Sequence, residues 1–113
     1  MNTSYILPIG ALAVVGYMFA NRTPPLIDGT PSLTFYYMTS CPHCKNMYPE
    51  MRRLGWSYNG VVVRWVEAAA DEARELGINS FPTLVYRGAD GRKTQYTGAR
   101  NSDAIKAWLN AVI

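Results

Sequence analysis

Histidine occurs once and cysteine twice in 113 residues, and no charged side chain appears before Arg22. Each scarcity excludes something. A zinc site needs four ligands, and a single histidine between two cysteines cannot turn back onto the ion they would share, so a metal centre would need a second copy of the chain. Two cysteines cannot build the disulfide framework of a small secreted domain. At C-x-x-C spacing they would also close a loop too short to restrain the unfolded chain much. Lysine and arginine number 11 against 8 acidic residues, a formal net charge of +3, with the two signs interleaved. No basic stripe is present, so no nucleic-acid partner is expected. The length suits one domain with an appendage, acting as a monomer, and the sequence carries neither an internal repeat nor a low-complexity tract.

The uncharged beginning is also the most apolar part. Residues 5–20 read YILPIGALAVVGYMFA. As a helix they would span roughly 24 Å, short of a hydrocarbon core of about 30 Å unless Thr3 and Ser4 help or the bilayer thins. A cleaved signal would carry a basic start and small residues before the cut, and MNTS and MFA supply neither. Nothing in the run offers a polar face to a water-exposed helix. Residues 1–21 are therefore expected to form a single-pass transmembrane anchor contacting lipid through residues 5–20. Arg22 follows the run with nothing basic before it, a slight bias toward a cytoplasmic domain. Residues 22–31 hold three prolines and a glycine and read as a semi-extended tether.

From Ser32 onward strand and helix patterns alternate. SLTFYYM (32–38) is aromatic and strand-favouring, and CPHCKNMYPEMRRLG opens a helix with Pro42 in its first turn, where a missing N–H is harmless. Met47, Met51 and Leu54 fall on one helical face, and Pro49 is expected to kink the helix. GVVVRWVE (60–67) reads as a strand covered on both faces, AAADEAREL as a helix stopped by Gly77. PTLVYR and KTQYTG flank GADGR as a hairpin whose Asp90-Gly91 supplies positive φ angles. The last helix is capped by Asn101 or Ser102 and buries Ile105, Trp108, Leu109 and Val112. The expected class is α/β, with a four-stranded mixed sheet in βαβαββα order over residues 32–113.

The stretch TSCPHCK, residues 39–45, gathers both cysteines and the histidine. A strand ending at Ser40 delivers Cys41 to a helix start, where free N–H groups and the positive end of the dipole favour an anion. A thiolate is that anion, and it is the nucleophilic form of the thiol. Cys41 is the expected attacking residue. Cys44, one turn deeper, is placed to displace a captured partner. Pro42 stiffens the turn, and His43 can add a donor or a positive charge. Lys45, Arg52 and Arg53 either raise the local potential or form an ordinary solvated face.

The CPHCK segment after an aromatic strand, Pro49 beyond it, FPT at 81–83 and the closing YTGARNSDAIKAWL together resemble the thioredoxin superfamily over residues 32–113. The resemblance implies a three-layer α/β/α fold and thiol–disulfide exchange with protein cysteines. The redox group is the Cys41–Cys44 pair itself, with no separate cofactor. It also implies that Pro82 is cis and faces the pair, flanked by Phe81 and Thr83, with the backbone of Phe81 offered to a substrate peptide. There are departures. Ser40 stands where thioredoxins carry Trp, and the Pro-His insert is similar to that of bacterial periplasmic oxidants. The family's buried Asp falls at Phe35, with its Lys partner near Val63. No leading strand and helix are present, an outline closer to glutaredoxin, though without a recognisable glutathione-binding set. The alternatives are a peptide-binding module without catalysis, a glutaredoxin-like protein or a metal-binding protein.

Overall fold

In the computed structural model, which describes residues 24–113, the alternating patterns resolve into eight elements. They are β1 (Ser32–Tyr37), α1 (Pro42–Leu54), β2 (Ser57–Tyr58), β3 (Val61–Glu67), α2 (Asp71–Glu75), β4 (Thr83–Arg87), β5 (Lys93–Tyr96) and α3 (Ser102–Val112). Among these residues no helix is long and apolar enough to cross a membrane. The anchor expected over residues 1–21, and its lipid contact through residues 5–20, lie outside the described residues.

The strands form one mixed sheet in the order β2-β3-β1-β4-β5. β1 pairs in parallel with β3 through the α1 crossover, with Phe35 opposite Trp65, and antiparallel with β4, with Phe35 opposite Leu84. The sheet has five strands, not the expected four, and the order is βαββαββα. The extra strand, β2, has two residues and pairs Tyr58 with Val61. Two residues are too few to show a period. The turn that creates it is nonetheless written in the sequence as Asn59-Gly60, both at positive φ (50° and 82°), the signature of a two-residue hairpin.

Side-chain alternation divides the sheet between two cores. Leu33, Phe35, Val61 and Val63 face α1 and α3, meeting Cys44, Met47, Met51, Leu54, Ile105 and Leu109. Tyr36 and Val66 face the other way, toward Ala73 of α2. This is the expected three-layer arrangement. Each fully buried Leu or Met contributes about 1.5–3 kcal/mol, so the larger core fixes α1, the helix that carries both cysteines.

Three local expectations change. In the β4–β5 turn only Gly91 has positive φ, and Asp90 instead accepts the Arg92 N–H through its side chain at 2.9 Å. In α3, Asn101 is the cap, accepting from the Ala104 N–H at 2.8 Å, but Val112 is exposed. The helix predicted over 68–76 is only Asp71–Glu75. α1 continues past Pro49 to Leu54. It is tied to α3 by Glu50, whose carboxylate accepts the Ser102 N–H at 2.9 Å.

Candidate active site

β1 ends at Tyr37, and a short turn closed by the Cys41 N–H on the Met38 carbonyl (3.0 Å) places Cys41 before α1. Its backbone is extended (φ −88°, ψ 117°) and it acts as the N-cap, its sulfur accepting the Cys44 N–H at 3.3 Å. A sulfur in this position replaces the usual capping oxygen, so an otherwise orphaned helix donor points at Cys41 Sγ, where it favours a negative charge. Pro42 occupies the first turn, where no donor is lost. Cys41 is partly exposed, whereas Cys44 is fully buried against Met47 and the sheet. Both are free thiols.

The two thiols are pushed in opposite directions. Cys41 is held below the ordinary thiol range, chiefly by the hydrogen bond from the Cys44 thiol and then by the Cys44 backbone N–H. Smaller contributions come from the His43 backbone N–H and the charge of Arg100, against partial desolvation. Cys44 is raised, first by burial and then by donating that same hydrogen bond. The outer thiol is thus the easier of the two to ionise. Titratable groups whose surroundings push them apart in this way are a mark of a functional site.

Opposite the pair, the Phe81–Pro82 peptide is cis. The Phe81 carbonyl accepts from the Cys41 thiol at 3.7 Å. Thr83 is buried, and its hydroxyl donates to the Ser80 carbonyl at 2.7 Å, pinning the loop. Cys41 and Phe81 therefore come together from segments forty residues apart, with Pro82 beside them. His43 is placed otherwise: its ring stands exposed, and its backbone N–H is what faces the sulfur.

Beneath the site lies an aromatic floor. Phe35 meets Trp65 edge-on at 5.2 Å and stacks with Tyr37 at 5.5 Å, and Tyr48 contacts Trp65 at 5.4 Å. The Tyr48 hydroxyl is raised by burial and then by the nearby Cys44 and Cys41. Phe35 is paired across the sheet with Trp65, not Val63, so the position beside Phe35 is aromatic as well. An open groove of about 230 Å³ starts at Pro82 and is lined also by Met47, Leu84, Tyr96, Gly98 and Arg100. A Cβ at Gly98 would lie 2.7 Å from the Tyr96 hydroxyl oxygen, so any larger residue here would force the Tyr96 ring to shift. Arg100 was not singled out from the sequence. It stands far from Cys41 along the chain, and only the fold brings its charge to both sulfurs.

The family model described as Thioredoxin matches residues 26–111. The chain belongs to the thioredoxin family. The protein disulfide-isomerase of Oryctolagus cuniculus is 31% identical over 81 residues, covering 67% of this chain and 16% of that protein. The protein disulfide-isomerase A6 homolog of Drosophila melanogaster is 36% identical over 74 residues, covering 62% and 17%. The crystal structure of the J-Trx1 fragment of ERdj5 has a TM-score of 0.66 at 23% identity, covering 74% of this chain and 43% of that one, a likeness of fold. The chain spans about a sixth of the length of these two curated relatives. In this thioredoxin-family domain the match begins at Leu26, within the stretch expected to be tether.

Proposed function

We propose that the protein is a membrane-anchored thiol–disulfide oxidoreductase that exchanges disulfides with protein cysteines through Cys41 and Cys44. The observation that carries this reading is the opposed pair: a partly exposed Cys41 sulfur receiving the Cys44 N–H at 3.3 Å, above a buried Cys44. The Cys41 thiolate attacks one sulfur of a substrate disulfide, and the other sulfur leaves as a thiolate that takes a proton from water. Cys44 then loses its proton and attacks the Cys41 sulfur. The second substrate thiolate departs, two electrons have passed to the substrate, and Cys41–Cys44 is a disulfide. The reverse sequence oxidises a dithiol. The dithiol is the whole redox group, so no cofactor takes part.

The groove beside Pro82 supports an extended protein segment as the substrate, with the Phe81 backbone as its pairing edge. Relatives named protein disulfide-isomerases support protein cysteines as the target class. The uncharged run over residues 5–20 supports the anchor, and Arg22 supports a cytoplasmic domain.

The test is insulin reduction by the full chain in detergent micelles, with dithiothreitol as electron source. The wild type is expected to accelerate precipitation, Cys41→Ser to abolish the effect, and Cys44→Ser to accumulate mixed disulfides. A wild type no faster than Cys41→Ser refutes the enzyme reading and leaves peptide capture beside Pro82 as the use of the fold.

A further inference from the structure

Arg64 lies in the middle of β3 with 3% of its surface exposed. An arginine carries five N–H donors in a rigid fork and cannot be buried cheaply unless they are used. Here Nη1 and Nη2 donate to the two Glu72 carboxylate oxygens at 2.7 and 2.6 Å, and Nη1 also donates to the Thr34 hydroxyl at 2.9 Å. The Tyr36 hydroxyl donates to the same carboxylate at 2.7 Å. Nε donates to the Pro24 carbonyl at 2.8 Å, so four of the five donors are used. A guanidinium fixed in the sheet thus grips the chain leading into the domain.

The grip is repeated downstream. Ile27–Thr30 forms a turn closed by the Thr30 N–H on the Ile27 carbonyl (3.1 Å), with Gly29 at φ 84° where such a turn needs a left-handed residue. Asp28 pairs with Arg87 at 2.9 Å, and the Val62 N–H donates to the Pro31 carbonyl at 3.0 Å. The segment from Pro24 to Pro31 is bound to the domain at three points.

We propose that residues 24–31 are a docked strap that mounts the domain close to the bilayer and confines its action to cysteines of membrane-associated proteins near the membrane surface. This rests on the anchor and oxidoreductase readings above. From Asn21, the end of the uncharged run, to Pro24 is three peptide steps, at most about 11 Å. From the level of Arg64, the rest of β1 and the turn to Cys41 add about 20 Å. The sulfur therefore works within about 30 Å of the surface. Were residues 22–31 free, their length would add about 36 Å to the span of β1, and the reach would be about 55 Å.

The experiment uses the full chain, pre-reduced, in phosphatidylcholine vesicles. Single-turnover reduction is followed for a peptide disulfide held on a lipid by rigid polyproline spacers of about 15, 30 and 60 Å. Rates are expected to be similar for the two shorter spacers and at least tenfold lower for the longest. An eight-residue Gly-Ser insertion between Asn21 and Arg22 is expected to restore the longest. An undiminished rate at 60 Å in the unaltered chain, or an insertion without effect, overturns the proposal. Hydrogen exchange gives a reading independent of activity: the Thr30 amide is expected to be protected, and Asp28→Asn with Arg64→Gln to release it. A Thr30 amide unprotected in the unaltered chain also overturns it. Failure of the supporting readings looks different. A chain that does not float with vesicles removes the anchor and the proposal with it, and a chain unable to reduce the same peptide free in solution removes the oxidoreductase.

Discussion

The resolving step is where this site makes its most exposed prediction. Cys44 must become a thiolate before it can attack the Cys41 mixed disulfide, and burial pushes its thiol above the ordinary range. The groups that shift Cys44 are Cys41, the Met38 backbone and Arg100, and none is a carboxylate. Without a neighbouring base the proton goes to water, and the rate follows the thiolate fraction. An ordinary thiol, with a pKa of about 8.5, is only about 3% ionised at pH 7, so Cys44 is ionised less than that. Resolution is expected to rise about tenfold per pH unit from pH 6 to beyond 8.5. The aromatic reagent Ellman's disulfide gives the assay. Attack by Cys41 releases one coloured thiolate quickly, and Cys44 releases the second in a slower phase whose rate is read against pH. A slow phase that levels off below about pH 7 would refute the reasoning, because it requires a base that the aromatic floor does not supply. Cys44→Ser is expected to keep the first release and lose the second.

Other perturbations test the surroundings. Arg100→Gln removes a positive charge that favours the Cys41 thiolate. The midpoint of its alkylation–pH curve is expected to rise, by less in 1 M salt where the Debye length is about 3 Å, and an unchanged midpoint removes Arg100 from the site. Glu72→Gln leaves the Arg64 guanidinium without its carboxylate. Since Glu72 is 26% exposed, the cost at pH 7 is expected to be about 2–4 kcal/mol, toward the low side of a broken buried pair. The Arg64 hydrogen bonds hold the Glu72 carboxyl below its ordinary value, so the unfolded chain binds the proton first. The stabilisation is full above about pH 4.3 and fades as pH falls through the folded value. Denaturant midpoints read from tryptophan fluorescence are therefore expected to differ more at pH 7 than at pH 3, and equal gaps contradict the ion pair. Gly98→Ala forces the Tyr96 ring off Trp108, which it meets at 5.2 Å, and is expected to cost about 1–3 kcal/mol. No loss in denaturant midpoint would mean that the ring moves freely.

Periodic features of this chain were legible, and features created by juxtaposition were not. β1, β3, β4, α1 and α3 could be read from their runs or periodic sets of apolar residues, and β5 from the GADGR turn that precedes it. Cys41 and Cys44 could be read because their chemistry depends on spacing within a single turn. β2 is too short to repeat anything, although Asn59-Gly60 marked its turn. Arg64 stands in a largely apolar strand whose pattern says nothing of its partners. Its partner Glu72 reaches it only because the chain reverses between β3 and α2, and Pro24 reaches it only because the strap folds back. Arg100 is likewise assembled by the fold.

Phe35 shows how the two kinds of information combine. The resemblance located it where an acidic residue stands in thioredoxins, and the fold adds that its cross-strand neighbour is Trp65 and that Tyr37 and Tyr48 close the same floor. An apolar floor raises Cys44 by excluding water and leaves Cys41 as the sulfur that benefits from N–H donors and Arg100. The same substitution that removes a proton acceptor therefore sharpens the difference between the two thiols. On the proposed mechanism, attack by Cys41 is expected to outpace release by Cys44, and the mixed disulfide is the state in which this site is expected to dwell.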